Sequence, residues 1–392
     1  MNRCRHKIAI QIKTVGVLFC LLMAEELKAG QEGWPEYSWE TVPVCLHFGK
    51  TPGALTEEEL KFVAETSPLV CLEKGHGSRV TGSTEKGIAY DARRLKEINP
   101  QVKVLYYWNA VLNYQLYDAC AVVAENPDWV LRGKDGEPIY KSGTLEQYNL
   151  LNANFRQWWV KEAGRAMTEW DCDGVFMDAL PQVKTRVLRQ LGGGAETEQL
   201  LVDAVEEMMT GAQQAMGKEG ILLYNGLRNL DRGGSTLGEE YLPLADGAMT
   251  EHFTAFASQS PEAIVRDIES IIEAGEAGKM VVVKGWPDPE FNWMNNEKMK
   301  EPKERLKQEA EEKMTFSLAC FLVAAQAHSY FCYSWGYREH HGSLADYEQF
   351  RKPLGAPLGE ARREGWEFKR SFQHASVWVD VAKREAKIEW KK

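Results

Sequence analysis

Short apolar runs alternate along this chain with longer amphipathic stretches. The apolar runs cover residues 42–49, 68–74, 102–109, 173–178, 221–225, 247–253, 280–286 and 329–335, each bounded by Gly, Pro or polar residues. Near-continuous hydrophobicity of this length predicts parallel strands buried on both faces. Between them, a helical period predicts helices over 56–65, 91–98, 154–170, 197–218, 261–276 and 302–326. Thr56, followed by an acidic first turn, is a helix start signal. The last helix is charged at first and apolar from Phe316 to Ala325, so its second half is expected to be buried. Eight strands with intervening helices predict the α/β class and a closed (β/α)8 TIM barrel. An open doubly wound sheet is the alternative, but no glycine-rich phosphate turn follows an early strand.

Two connections are long, 110–153 and 287–301, and both fall on the C-terminal face of such a barrel. In the first, the segments 129–132 and 138–140 flank Lys134-Asp135-Gly136-Glu137, which predicts a small hairpin. Residues 345–352 form at most a short final helix before Pro353. Beyond it, 366–372, 376–381 and 386–390 alternate as antiparallel strands do. They are too few for a core of their own, so a small C-terminal antiparallel β appendage on the barrel is expected. The domain reading is therefore a leader over 1–29, a barrel over 30–355 and a β-segment over 356–392.

The leader rests on a basic start (Arg3, Arg5, Lys7, Lys13), an apolar run over 15–24 and the sequence Leu27-Lys28-Ala29. That order predicts an export signal and a secreted or periplasmic protein, with no stable membrane insertion once the signal is removed. An uncleaved anchor is the other reading, because Glu25 and Glu26 interrupt the pattern. The formal charge of −10 argues against nucleic acid and anionic membranes as partners. It also disfavours a strongly anionic polysaccharide unless a basic cleft overrides the total. Six cysteines follow the leader, without a CxxC pair, and buried free thiols explain them better than a metal or redox motif.

Candidate chemistry gathers at strand tips. Trp170-Asp171-Cys172-Asp173-Gly174-Val175-Phe176-Met177-Asp178 reads as a strand with a tight Asp-Gly start and one carboxylate, Asp178, at its C-terminal end. Glu251 holds the same position in Asp246-Gly247-Ala248-Met249-Thr250-Glu251. Two carboxylates on two strand tips are the minimum for cleaving a glycosidic bond. Asp178 reads as nucleophile or base, or else as a helix cap before Pro181. Glu251 reads as general acid, or else as a buried Glu paired with Lys284 or Arg228. His252 is expected to point away from Glu251 on an extended strand. Asp171 and Asp173, at the strand start, carry no catalytic role.

His47, Glu73, Trp108, Asn109, Asn225, Lys284, Trp286 and Trp335 are further tip residues suited to binding a sugar through hydroxyl contacts and ring stacking. Glu73 is the rival carboxylate, and Trp293 and Tyr337 are further stacking candidates. Each of these aromatics could equally be core. The Glu339-His340-His341 cluster lacks metal-ligand spacing, and a solvated loop accounts for it. No metal or organic cofactor is required.

Residues 172–178, the Trp158-Trp159 pair, the hairpin from Asn126-Pro127-Asp128-Trp129 to Gly136-Glu137-Pro138, and the tail Gly355-Ala356-Pro357-Leu358-Gly359 with Arg370-Ser371-Phe372 and 376–380 together resemble a family of hypothetical bacterial glycoside hydrolases with (β/α)8 barrels. More distantly they are similar to α-galactosidase-like and polygalactosaminidase-like barrels. The resemblance implies a fold, a reaction class and carboxylates after the fourth and sixth strands, which Asp178 and Glu251 match, but not a substrate; an oligosaccharide or polysaccharide is the expectation from the site residues. A non-catalytic carbohydrate-binding barrel is the alternative from another class.

Overall fold

Eight strands pair in sequence order, all parallel: β1 (Cys45–Phe48), β2 (Leu69–Leu72), β3 (Lys103–Asn109), β4 (Gly174–Asp178), β5 (Ile221–Asn225), β6 (Gly247–Phe253), β7 (Met280–Gly285) and β8 (Ser329–Tyr333). Parallel bridges from Val44 to Phe331 and from Gly49 to Arg338 join β8 back to β1 and close the ring. This computed structural model describes residues 33–133, 135–227 and 238–391. The expected leader lies outside the described residues, as do Lys134 of the expected hairpin and Arg228.

The longer helices are α1 (Glu57–Thr66), α2 (Thr84–Ile98), α3 (Ala153–Glu169), α4 (Ala195–Met216), α5 (Pro261–Glu276) and α6 (Lys303–Ala324). Thr56 caps α1: its hydroxyl accepts from the Glu59 amide at 3.2 Å, and the Glu59 carboxylate accepts from the Thr56 amide at 2.8 Å. α2 starts seven residues before the predicted 91. Gly87 weakens the helical pattern there, while Ser83 supplies the cap. Among the described residues, only a 3-10 segment (Glu239–Leu244) stands between β5 and β6, and a 3-10 turn (Glu348–Arg351) follows β8. The second half of α6 is buried as its sequence predicts.

The Asp-Gly starts of β4 and β6 share one construction. Asp173 accepts the Val104 amide of β3 at 2.8 Å, and Asp246 accepts the Leu222 amide of β5 at 2.8 Å. Each carboxylate thus satisfies a backbone donor of the preceding strand where its ladder begins. The glycines serve the following strand. A Cβ on Gly174 would lie 2.0 Å from the Ile221 carbonyl oxygen, and one on Gly247 would lie 2.1 Å from that of Met280. Only glycine admits such backbone approach.

β6 has one irregularity near its tip. Thr250 pairs with Val283 and Phe253 with Gly285, so three residues of β6 advance against two of β7. This is a β-bulge around Glu251 and His252.

Residues 110–152 form an excursion after β3. Antiparallel bridges link Leu112 to Gln147, Val130 to Tyr148 and Arg132 to Pro138, and Tyr140–Lys141 pairs with Leu145–Glu146. The tail forms an antiparallel sheet of β9 (Arg362–Glu364), β10 (Glu367–Ser371), β11 (Ala375–Asp380) and β12 (Glu385–Trp390). β9 gave no sequence signal because its three residues are charged and exposed. The sheet rests on α6, where Arg370 donates to the Leu322 carbonyl at 3.2 Å and to that of Ala325. A cation there also complements the helix C-terminus. All six described cysteines are free and buried. Among the described residues no helix is long and apolar enough to cross a membrane.

Candidate active site

The C-terminal ends of the strands surround a cavity of about 660 Å³. That is within the usual range for a small-molecule site. Asp178 enters it from β4, with Phe176 on the same face against the His47 ring at 4.9 Å. Three donors hold its carboxylate. The Tyr107 hydroxyl and the Asn109 amide (3.0 Å) donate to Oδ2, and the Asn225 amide donates to Oδ1 at 2.8 Å. Asn109 is itself fixed, because its Oδ1 accepts the amides of Val111 and Leu112. Burial pushes the Asp178 pKa up and the nearby Glu251 charge adds to this; Lys74, Tyr107 and Asn225 oppose the shift without cancelling it.

Glu251 opens into the same cavity. Its Oε1 accepts from the Tyr337 hydroxyl at 2.5 Å, and His252 Nε2 lies 3.4 Å from its Oε2. Its side chain keeps 20% exposure, against full burial of the groups behind it. The bulge corrects the expectation for His252. Instead of pointing away, it lines the cavity beside Glu251 because the extra residue breaks the strand's alternation.

Glu73 and Asn225 also line the cavity. Glu73 is engaged on both oxygens, with His47 Nε2 3.0 Å from Oε1 and Lys74 Nζ 2.5 Å from Oε2. Burial alone would raise its pKa, but Lys74 and then His47 outweigh it and hold the carboxyl below the usual range. His47 lies buried behind it. Lys284 is fully buried and donates to the Ser334 carbonyl (2.8 Å) and hydroxyl (2.7 Å), not to a carboxylate. Its Nζ sits 4.0 Å from the centre of the Trp286 ring. Trp286 is buried too, donates to the Glu251 carbonyl at 3.0 Å, and stacks on Trp293 at 5.3 Å. Trp293, Phe256 and Tyr337, all half-buried, form the layer of that aromatic wall that lines the cavity.

Trp286 stands behind Trp293 without lining the cavity, and two more of the expected stacking residues are not brought to it. Trp108 points outward between Tyr107 and Asn109, stacks on Trp159 and donates to the Trp159 carbonyl. Trp335 packs in the core against Phe291. Sequence reasoning passed over Lys74, Tyr107, Tyr114 and Lys141. Tyr107 shares the parity of Asn109, and Lys74 directly follows Glu73, so both had a signal. Lys141 had none, since it arrives from the excursion.

His341 lines the cavity half-buried, and burial, then His340, Arg338 and Lys284, push its pKa down to about 3. It is therefore neutral at ordinary pH. His340 is exposed beside Glu339 at 3.1 Å. Among the described residues no group of three or more His, Cys, Asp or Glu could hold a metal ion. Another hollow, about 570 Å³, lies on the C-terminal sheet beside Trp378 and contains none of the strand-tip residues.

A model of hypothetical glycosyl hydrolase family 15 matches residues 96–376. No curated protein matches this chain. Among solved structures, an α-galactosidase from Thermus thermophilus, in complex with p-nitrophenyl α-D-galactopyranoside, is 17% identical, covering 90% of this chain and 68% of its own at a TM-score of 0.45. An α-amylase from Geobacillus thermoleovorans, complexed with acarbose, is 12% identical, covering 88% and 87% at 0.48. A noncanonic maltogenic α-amylase from Thermotoga neapolitana is 11% identical, covering 87% and 86% at 0.46.

Proposed function

The chain belongs to hypothetical glycosyl hydrolase family 15, and from that premise we propose that this glycoside hydrolase cleaves an oligo- or polysaccharide with Asp178 and Glu251 as its two working carboxylates. The observation that carries the reading is that both acids open into one cavity and feel each other's charge. Asp178 is the nucleophile or base. Three fixed donors aim its lone pairs, and hydrogen bonds of this kind favour the ionised form. Glu251 is the general acid. It sits at the more open side of the cavity, where Tyr337 holds one oxygen and His252 lies beside the other, so its carboxyl can reach a leaving group.

The rest of the cavity suits a sugar. Asn225 Oδ1 and Gln182 Oε1 are buried there without a hydrogen-bond partner among the described residues, and each can accept from a hydroxyl. Trp293 and Tyr337 offer flat faces to a pyranose. No group in this scheme calls for a cofactor. We also propose export, on the basic-then-apolar order of residues 3–24; the mass of the protein recovered from its natural host shows whether 1–29 has been removed.

The test is hydrolysis of a polysaccharide panel by wild type, Asp178→Asn and Glu251→Gln. Each variant should lose roughly 10²–10⁴-fold in kcat while remaining folded. Full activity in both removes the site assignment, and binding without cleavage by wild type removes the reaction. Product stereochemistry then reports the carboxyl separation, with retention expected for about 5 Å and inversion for roughly 6.5–9.5 Å.

A further inference from the structure

Lys141 has no task in the reaction above. It stands on the small hairpin of the excursion, where Tyr140–Lys141 pairs with Leu145–Glu146, and its half-buried side chain lines the cavity. The charged groups facing it are Arg186, Asp178, Lys74 and Glu251. None of the described carboxylates forms an ion pair with its ammonium, and Arg186 likewise has no ion-pair partner among them. Burial, and then the two cations, hold Lys141 below the ordinary lysine range, while the two acids act the other way. Arg338, also on the cavity wall, donates to the Thr51 hydroxyl and not to a carboxylate.

The charge balance of the cavity differs from that of the chain. Glu73 offsets Lys74. Acid–base hydrolysis keeps one of the two working carboxyls protonated. Among the described residues that leaves a single negative charge on the wall against Lys141 and Arg338, with Arg186 close behind. The molecule as a whole carries −10. A half-buried ammonium crowded by other cations gains most from an anion brought by a ligand.

We infer that the cavity takes a sugar bearing an anionic group, a carboxylate or a sulfate ester, and that Lys141 is the residue that meets this group. Arg186 and Arg338 strengthen the field around it. This deepens the hydrolase reading and rests on it for the position of the sugar.

The experiment uses three oligosaccharide sets: uronic-acid oligomers (galacturonides, mannuronides and glucuronic-acid-bearing oligomers), sulfated galactan and glucan oligomers, and neutral galactan, mannan and glucan oligomers. Binding is measured by calorimetry on the Asp178→Asn chain, and turnover on the wild type. At least one anionic set should bind roughly 10–100-fold more tightly than the neutral set, the size expected of a charge-assisted contact. The difference should shrink as salt is raised. Lys141→Met should abolish most of it by raising Kd and KM for the anionic set alone, and Lys141→Arg should restore part. Preference between the uronic and sulfated sets identifies the anion. Tighter binding of the neutral set, binding of none, or equal weakening of all sets by Lys141→Met would overturn the inference. Anionic binding without cleavage by wild type would instead leave Lys141 its role and remove the hydrolase mechanism.

Discussion

Lys284 illustrates how a single residue can hold stored electrostatic cost beneath a site. It is fully buried, its ammonium donates to Ser334 oxygens and faces the Trp286 and Tyr337 rings, and burial pushes its pKa down to about 8 from an ordinary 10.5. Cys332 and Glu251 act weakly the other way. Below pH 8 both folded and unfolded chains are protonated at this position, and the folded state bears the full penalty. Between about 8 and 10.5 the unfolded chain binds the extra proton, so stability rises with pH through this window. The gain is on the order of 3 kcal/mol at most. Denaturant titrations at pH 8 and pH 10 should show this rise in the wild type relative to Lys284→Met; identical pH responses would contradict it. The same scale shows why some site residues were legible and others were not. Asp178 and Glu251 end strands whose apolar runs are clear in the sequence. Trp108 was grouped with Asn109, yet adjacent residues on a strand face opposite ways, so one of them had to leave the cavity.

At the level of elements, the barrel strands were readable because each is an apolar run of parallel-strand length, and all eight formed where predicted. The two Asp-Gly starts were visible as sequence, but their purpose needed the paired strands. Gly174→Ala would drive a methyl group into the Ile221 carbonyl. We expect a loss of roughly 1–3 kcal/mol or more, as overpacking of a rigid interior produces, read as a lower denaturation midpoint; an unchanged midpoint would show that β4 and β5 can move apart. The bulge in β6 could not be read from sequence, since no glycine marks it and Glu251-His252 alternates like its neighbours. Strand periodicity therefore gave the right tip and the wrong direction for His252. The excursion that carries Lys141 was expected as a rim, but a loop of that length does not disclose which of its side chains turns inward.

For the whole molecule, a ring of strands carries the acids while two appended parts finish it: the excursion over the mouth and the C-terminal sheet on α6. The sheet was expected from alternation, and its anchoring by Arg370 to the end of α6 was not, because a single buried arginine has no pattern. The six described thiols complete the picture. All are buried and none is cross-linked, and burial raises the pKa of each. Alkylation needs an exposed thiolate. Sulfhydryl reagents are thus shut out of these six positions while the barrel is intact, and the pace at which they label them becomes a clock for how often it breathes open.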